Sequence, residues 1–340
     1  MRRKPLELLY NTGMIATKRA DDCYQTGGAT KRAAYCEEPG GARNTTQRYL
    51  TARLRLHYAL CMSNTLAQKT NFSGFPKAGE LIEITGAHEL EALDRAALNV
   101  LYQHAHDSGR LGDRDAEWEL PMTALRPSKH ESNDRLRAAL DRLMRVIVNV
   151  PFCDPATGEE RILKTHLFDF FDLSANQAAA TATVRFGLPK KLQPVLARSG
   201  HWGRIRAEVV CSMTSKYAMS LYELIQLRAG LTRSVEVFSI DRFRELLNVP
   251  PGTYSRGNNL IQKVLDPAVL EVNGLTDMGV KLELQRAKGP RSPIVAVAMT
   301  WWPKEGEEYR AAIKERERSK VGRMARLKGT VEPIAQETRQ

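Results

Sequence analysis

Two groups of segments, each passing from helical to strand periodicity, constrain this chain more than any other feature. In the first group, apolar residues recur at helical spacing over Glu89–His106 and again over the run SNDRLRAALDRLMR, which starts at Ser132. Alternating stretches follow in VIVNVPF and RILKTHLFDFF, and the Asp-Pro and Thr-Gly pairs between them predict a hairpin turn. Helices followed by a β-hairpin are typical of a winged helix, a helix-turn-helix that carries a small sheet.

The second half of the chain repeats this order. Thr214–Arg228 has the pattern of a helix capped by Thr214 or Ser215, and Ser239 is placed to cap the next helix. The run YSRGNNLIQKVLDPAVLEVN predicts a third helix with a kink at Pro267. The runs VKLELQRA and PIVAVAMTWW predict a hairpin around KGPRS. The sequence therefore predicts an α+β fold of two tandem winged-helix domains.

The formal net charge of +12 favours a polyanionic partner, because each phosphate that binds Lys or Arg releases counterions. No apolar run approaches the roughly 18 residues of a membrane span, and the N-terminus lacks the apolar core of a signal peptide. The five cysteines have no CxxC spacing, so neither a zinc site nor a disulfide framework is expected. We therefore predict a cytoplasmic protein that binds double-stranded DNA, with no membrane, metal or cofactor.

Composition divides the chain into four parts. We expect a flexible basic extension over residues 1–55, a first winged-helix domain over 56–200, a second over 207–303 and a charged tail over 304–340. The extension is either a spacer or an arm that contacts DNA. The stretch 198–208 is either a linker or a strand that closes the first domain. The tail carries both signs of charge, which predicts a solvated helix that frays.

The third helix of the second domain is the best candidate for reading DNA, since this helix of a helix-turn-helix enters the major groove. Its polar start consists of Tyr254, Ser255, Arg256, Asn258 and Asn259, with Lys263 one turn further on. Arginine pairs with guanine and asparagine with adenine. Apolar residues on the opposite face, Leu260, Ile261, Val264 and Leu265, are expected in the core. The alternative is a solvated cap on a core helix.

The first domain and the start of the Thr214–Arg228 helix offer further candidates. The equivalent helix of the first domain carries Lys129, Ser132, Asn133, Arg135 and Arg137. Its charge favours phosphate contact over base reading; the alternative is an exposed face with Asp134 and Asp141 as partners. Ser215 and Lys216 lie at a helix N-terminus, where free amides, a hydroxyl and an ammonium suit a phosphate. Plain capping is the alternative there.

Enzymatic activity is not expected. A His-x-His pair can hold the metal of a DNA-nicking enzyme, but His104 and His106 lie two apart on a predicted helix and so point to different faces. The candidate nucleophiles Tyr217 and Tyr222 lie on a core-facing helix. No GxxxxGK[ST] loop is present for an ATP-driven motor. A metal-dependent nicking enzyme remains the least favoured alternative.

Several runs in order resemble one family. SKYAMSLYELI, VFSIDRFRELLNVP, Tyr254, KVLDPAVLEVNGLTD and VKLELQRAKGPRSPIVAVAMTWW are similar to the iteron-binding plasmid replication initiators of the Rep_3 (RepA/RepE) type. The similarity is good over residues 210–302 and looser over 80–190. The chain departs from the family in its long Gly/Thr-rich N-terminal extension, whose role the resemblance leaves open.

The resemblance implies a bacterial protein with two winged-helix domains related by pseudo-two-fold symmetry. It implies monomers that bind repeated origin DNA, open the origin and recruit the host replication initiator and helicase, with chaperones as further partners. It also implies homodimers, formed through the first domain, that repress the protein's own promoter and control plasmid copy number. By position, the family's reading helix falls on Arg256, Asn258, Asn259 and Lys263. A winged-helix transcriptional regulator without a replication role is the alternative.

Overall fold

The computed structural model describes residues 64–127, 131–154, 156–175, 181–289 and 292–330, and the predicted extension lies outside them. The elements of the first half are β1 Phe75–Ala78, α1 Gly79–Ile82, α2 Ala92–Asp107, β2 Glu117–Pro121, α3 Asn133–Arg145, β3 Ile147–Cys153, β4 Glu160–His166, β5 Phe170–Leu173, β6 Thr183–Gly187, α4 Leu192–Arg198, β7 Trp202–Ile205 and α5 Ala207–Ser212. Short 3-10 turns lie at Thr65–Ala67 and Met122–Leu125.

Helices α2 and α3 form where the periodicity predicts them, and both begin with side-chain caps. Glu91 and Asp94 form a reciprocal capping box at the start of α2. The Ser132 hydroxyl accepts a hydrogen bond from the Arg135 amide at the start of α3. Asp94 also accepts two hydrogen bonds of 2.7 Å from Arg142, which join the helices. The apolar residues that recur at helical spacing in α3 are buried at Leu136, Leu140 and Leu143, and Met144 is half-buried.

The predicted hairpin is present, but its second strand is shorter than expected. Strands β3 and β4 pair antiparallel from Ile147 opposite His166 to Cys153 opposite Glu160. The run RILKTHLFDFF does not continue as one strand, because Leu167 and Phe168 are both buried and so break the alternation. The remaining residues form β5, which pairs with β6 in a separate sheet of order β2–β6–β5.

Of the two alternatives for residues 198–208, the strand is the one found. Strand β7 pairs antiparallel with β1, and Gly203 brings it against the helix Lys216–Arg228. A Cβ on Gly203 would lie only 2.7 Å from the Leu227 amide nitrogen, so glycine is required for this approach. Strand β1 is absent from the sequence prediction because all four of its residues, Lys77 included, are buried and show no alternation.

The second half repeats the winged-helix order. Its elements are α6 Lys216–Arg228, β8 Val235–Ser239, α7 Ile240–Leu246, α8 Gly257–Leu260, a π turn at Ile261–Leu265, α9 Asp266–Leu275, β9 Met278–Arg286, β10 Ile294–Pro303, α10 Gly306–Glu317 and α11 Arg323–Leu327. Ser215 and Ser239 cap α6 and α7 as predicted. The sheet order is β8–β10–β9, with the predicted hairpin between β9 and β10.

The predicted kink at Pro267 takes the form of a π turn. Proline lacks an amide and its ring collides with the carbonyl four residues earlier, so an unbroken α-helix cannot contain it. The chain instead passes from α8 through the π turn Ile261–Leu265 into α9, with Pro267 in the first turn of α9. The third helix therefore continues past the proline and keeps Leu260 and Val264 in the core.

The prediction of a solvated, fraying tail is wrong for residues 306–327, because α10 and α11 pack against the second domain. Arg323 is only 2% exposed and donates to the Ser212 carbonyl oxygen at 2.6 Å. Arg326 pairs with Glu315 at 2.7 Å, and Leu327 packs on Gly274 of α9. The charged side chains hold the helices together across a small interface.

No helix among the described residues is long and apolar enough to cross a membrane.

Lys304, which follows β10 and reaches the end of α9, makes the free energy of unfolding depend on pH. Burial lowers the pKa of Lys304 to about 8, and its ammonium donates to the carbonyl oxygens of Asn273 and Thr276. The unfolded chain then binds more protons between about pH 8 and pH 10, so this group makes the free energy of unfolding rise with pH across that window. Lys304→Met should flatten the rise in urea unfolding measured across it. The exposed Lys281→Met is the control, and equal slopes in the two variants would contradict this role.

Candidate nucleic-acid interface

A tight turn presents the start of α8. Arg244 donates to the carbonyl oxygen of Tyr254 at 3.2 Å and also to that of Thr253. Tyr254 has a left-handed φ of 49° and is half-buried. Burial, together with the neighbouring Tyr254, to which the Tyr217 hydroxyl donates a hydrogen bond, raises the pKa of Tyr217 to about 12. Tyr254 therefore anchors the turn against α6, and the residues after it project outward.

The polar edge of this helix, which we call the reading edge, consists of exposed side chains. Its members are Ser255, Arg256, Asn258, Asn259 and Lys263. The opposite face is buried at Leu260, Val264 and Leu265, as the sequence predicts, while Ile261, also predicted in the core, is half-buried. Within the described part of the chain, neither Arg256 nor Lys263 forms an ion pair. The reading edge thus offers one guanidinium, one ammonium and two amides to a ligand, and its contact with DNA remains a prediction.

Arg286, a basic residue beside the reading edge, is not among the residues predicted from the sequence. A Cβ on Gly257 would lie 3.9 Å from Nη1 of Arg286, at the end of β9. Arg286 also donates to the Ser292 carbonyl oxygen across the hairpin at 3.2 Å. Its side chain is exposed. The signal for it was its place at the end of a predicted wing strand, and only the fold brings it to the helix start.

The equivalent helix of the first domain offers fewer free groups than predicted. Ser132 caps α3, and Asn133 accepts a 2.7 Å hydrogen bond from Arg126. Arg135 is exposed and pairs with Glu131 at 2.7 Å rather than with either predicted aspartate, while Arg137 is half-buried. Lys129 lies outside the described residues. Arg135 is therefore the most accessible of the predicted cations on this helix.

At the phosphate site predicted for the start of α6, the donors already have partners within the chain, and its contact with DNA stays a prediction. The fully buried Glu271 carboxylate accepts from the amides of Thr214 and Ser215 and from the Thr214 hydroxyl. The Ser215 hydroxyl caps the helix, accepting from the Ala218 amide. Lys216 donates to the His88 carbonyl oxygen at 2.7 Å, across the boundary to the first domain. A carboxylate of the chain itself occupies the place predicted for a phosphate.

Lys263 is exposed and Lys216 already has a partner, so the two lysines should differ in their effect on the salt dependence of DNA binding. Lys263→Ala should lower the slope of log K against log salt for DNA binding by about one, as expected for one lost phosphate contact. Lys216→Ala should leave that slope unchanged, because its ammonium already bonds a backbone oxygen. Fluorescence anisotropy over a salt series gives both slopes. A drop of about one for Lys216→Ala would restore the predicted phosphate contact.

The histidine pair of the nicking alternative lies on α2. His106 is buried, with Nε2 3.1 Å from the Thr65 carbonyl oxygen and Nδ1 3.2 Å from the Asp107 carboxylate. Tyr222 is fully buried, and its hydroxyl accepts from the Arg206 amide at 3.4 Å. In the described ranges, no three His, Cys, Asp or Glu side chains are grouped to hold a metal ion. These contacts give His106 and Tyr222 structural roles.

Helices followed by a hairpin, twice in succession, define a tandem winged-helix protein. Residues 82–226 match the family model described as "Initiator Replication protein, WH1". Residues 239–301 match the one described as "Initiator Rep protein, WH2". The chain belongs to the Rep_3 family of initiator replication proteins. The first match reaches into α6, in accord with the packing of that helix on β7.

Among solved structures, one with a similar fold is the "Pi initiator protein in complex with iteron DNA". The TM-score is 0.52 at 15% sequence identity, covering 68% of this chain and 97% of that chain. At this identity the likeness shows the fold, which agrees with two winged-helix domains. A comparison with curated proteins found no significant match.

Proposed function

We propose that this chain initiates plasmid replication by binding directly repeated duplex DNA, the iterons of an origin. The observation that carries the proposal is the reading edge, which projects arginine and amide side chains from a helix whose other face is buried. These are the side chains that pair with base edges in the major groove. The similarly folded Pi initiator was solved in complex with iteron DNA.

The two domains have different parts in this scheme. We assign sequence reading to the second domain, over residues 207–303, with Arg256, Asn258, Asn259 and Lys263 toward the bases. The first domain, over 56–200, grips the phosphates, with Arg135 as its most accessible candidate. The net charge of +12 supports this grip, because phosphate neutralisation supplies most of the sequence-independent affinity.

The remaining steps rest on family membership. We propose that monomers bind the repeats, help to open the origin and recruit the host initiator and helicase, with chaperones as further partners. Dimers formed through the first domain repress the chain's own promoter. The protein acts by binding, and in this scheme it makes no covalent bond to DNA.

The decisive experiment is a footprint of the full chain on its replicon's own origin. Protection should recur over tandem repeats about two helical turns apart. Protection without any sequence preference would overturn the proposal. Incubation of the chain with supercoiled origin DNA and Mg²⁺ or Mn²⁺ tests catalysis separately, and a covalent protein–DNA adduct would show a nicking enzyme.

A further inference from the structure

Residues Glu83–His88, which follow α1 in the first domain, contact the second domain, and we call them the 83–88 segment. On one side this segment is fixed to the wing of its own domain. Thr85 and Asn149 of β3 exchange backbone hydrogen bonds of 3.1 and 2.9 Å. Gly86 has a φ of +89°, and a Cβ there would lie 2.8 Å from the Ile147 carbonyl oxygen. The close approach leaves the segment little freedom to shift along β3.

On its other side, the segment is held by one side chain of the second domain. Asn248, which follows α7, accepts a hydrogen bond from the Ala87 amide at 3.1 Å and donates to the Ile84 carbonyl oxygen at 3.3 Å. Asn248 is 4% exposed and has a left-handed φ of 54°. Asparagine tolerates this conformation better than most residues. A single buried side chain thus bonds two backbone groups of the other domain.

Charged groups flank this contact at both ends of the segment. Lys216 donates to the His88 carbonyl oxygen at 2.7 Å. The Glu83 carboxylate accepts from Arg228 at 2.9 Å and from Arg242 at 3.5 Å. Burial opposes the charge on Glu83, but the two guanidinium groups outweigh it and hold the pKa of the carboxyl below its usual value. These directional polar bonds, spread over six residues, add to the shared apolar core and to the buried Lys77–Glu223 pair, and they resist rotation as well as separation.

We infer that Asn248 and the 83–88 segment set the spacing between half-sites that one chain accepts on DNA. Adding a base pair moves two half-sites about 3.4 Å apart and turns one against the other by about 35°. Two rigidly coupled domains cannot follow that change, whereas two loosely coupled domains can. Asn248 is a positioning residue in this scheme, since it acts through the orientation of α8 relative to α3. The inference rests on the proposed binding of both domains to one repeat.

The test measures spacing tolerance with the full chain. Fluorescence anisotropy gives the Kd for a duplex repeat and for repeats with one or two base pairs inserted between the half-sites that the wild-type footprint defines. The wild-type chain should bind the inserted repeats at least about tenfold more weakly. Asn248→Gly keeps the left-handed backbone and removes both hydrogen bonds. It should bind the native repeat several-fold more weakly. Its spacing penalty, the ratio of the Kd for an inserted repeat to the Kd for the native repeat, should be smaller than that of the wild-type chain, since more loosely coupled domains follow the insertion better.

Asn259→Ala is the matched control, because it removes a side chain of the reading edge and leaves the domain contact intact. It should weaken binding to every spacing and keep the wild-type penalty. A wild-type spacing penalty in Asn248→Gly overturns the inference while the proposed function stands. A wild-type chain that binds repeats no better than random duplex overturns the proposed function and the inference with it.

A second variant keeps the test decisive where circular dichroism shows that Asn248→Gly is unfolded. Glu83→Gln preserves the shape of the side chain and removes the charge that faces Arg228 and Arg242. Glu83→Gln should also show a smaller spacing penalty than the wild-type chain. A folded Glu83→Gln chain with the full wild-type penalty contradicts the inference.

Discussion

Replacing Glu223 with alanine should lower the free energy of unfolding by about 3–5 kcal/mol, the cost of leaving a buried charge without its partner. Glu223 lies 2.7 Å from the Lys77 ammonium, and both side chains are buried. Asn99 donates to the same carboxylate oxygen at 2.8 Å. Burial lowers the pKa of Lys77, and the Glu223 carboxylate offsets that only in part. These side chains join β1 and α2 of the first domain to α6.

Urea denaturation followed by circular dichroism measures this loss. The matched control is Glu283→Ala, which removes a pair of the same 2.7 Å length to Lys281 on the exposed face of β9. Solvent screens that pair, so its loss should change stability little. The double variant Lys77→Met/Glu223→Leu should recover a large part of the loss, because it removes both charges. If Glu223→Ala lowered the free energy of unfolding no more than Glu283→Ala does, the buried pair would not have the importance assigned to it.

Arg256→Ala should weaken binding to the cognate repeat by about 1–3 kcal/mol and relax the preference at one base position. Arg256 is exposed at the start of α8, where the third helix of a winged helix meets base edges. The guanidinium can donate two parallel hydrogen bonds to guanine, which alanine cannot replace. The loss should therefore be specific to sequence rather than uniform.

Competition binding with duplexes that carry single base changes distinguishes a sequence-specific loss of affinity from a uniform one. Arg110→Ala serves as the control, since Arg110 is an exposed arginine that already pairs with Asp113 at 3.0 Å in the first domain. It should leave the base preferences unchanged. An equal loss for Arg256→Ala on cognate and random DNA would show that this residue contacts phosphate and does not read a base.

The elements that the sequence predicts are those that local chemistry determines. Ser132, Ser215 and Ser239 each cap the helix that follows them, and the hairpins form around their turn residues. Strand β1 was not predicted because its partner, β7, lies more than a hundred residues away and its buried run contains a lysine. Lys77 is tolerated there because Glu223 and Asn99 reach it from distant helices.

The residues of the candidate site also fall into two groups, those that local sequence predicts and those that only the fold brings into place. Exposure of the reading edge follows from the spacing of apolar residues in one helix, so it could be predicted. The partners of Lys216 could not be, because His88 and Glu271 reach α6 from distant parts of the chain. Arg286 comes to the helix start through the pairing of β9 with β10. Long-range contacts thus decide which of the basic residues remain free for a ligand.

The bond between Arg323 and the Ser212 carbonyl oxygen also has a consequence for synthesis. The two residues lie 111 positions apart along the chain. At a translation rate of about 5–20 residues per second, a newly made Ser212 waits roughly 5 to 20 seconds for its partner. During that interval the Ser212 carbonyl oxygen lacks its buried partner. This contact therefore forms only after α10 and α11 have been made.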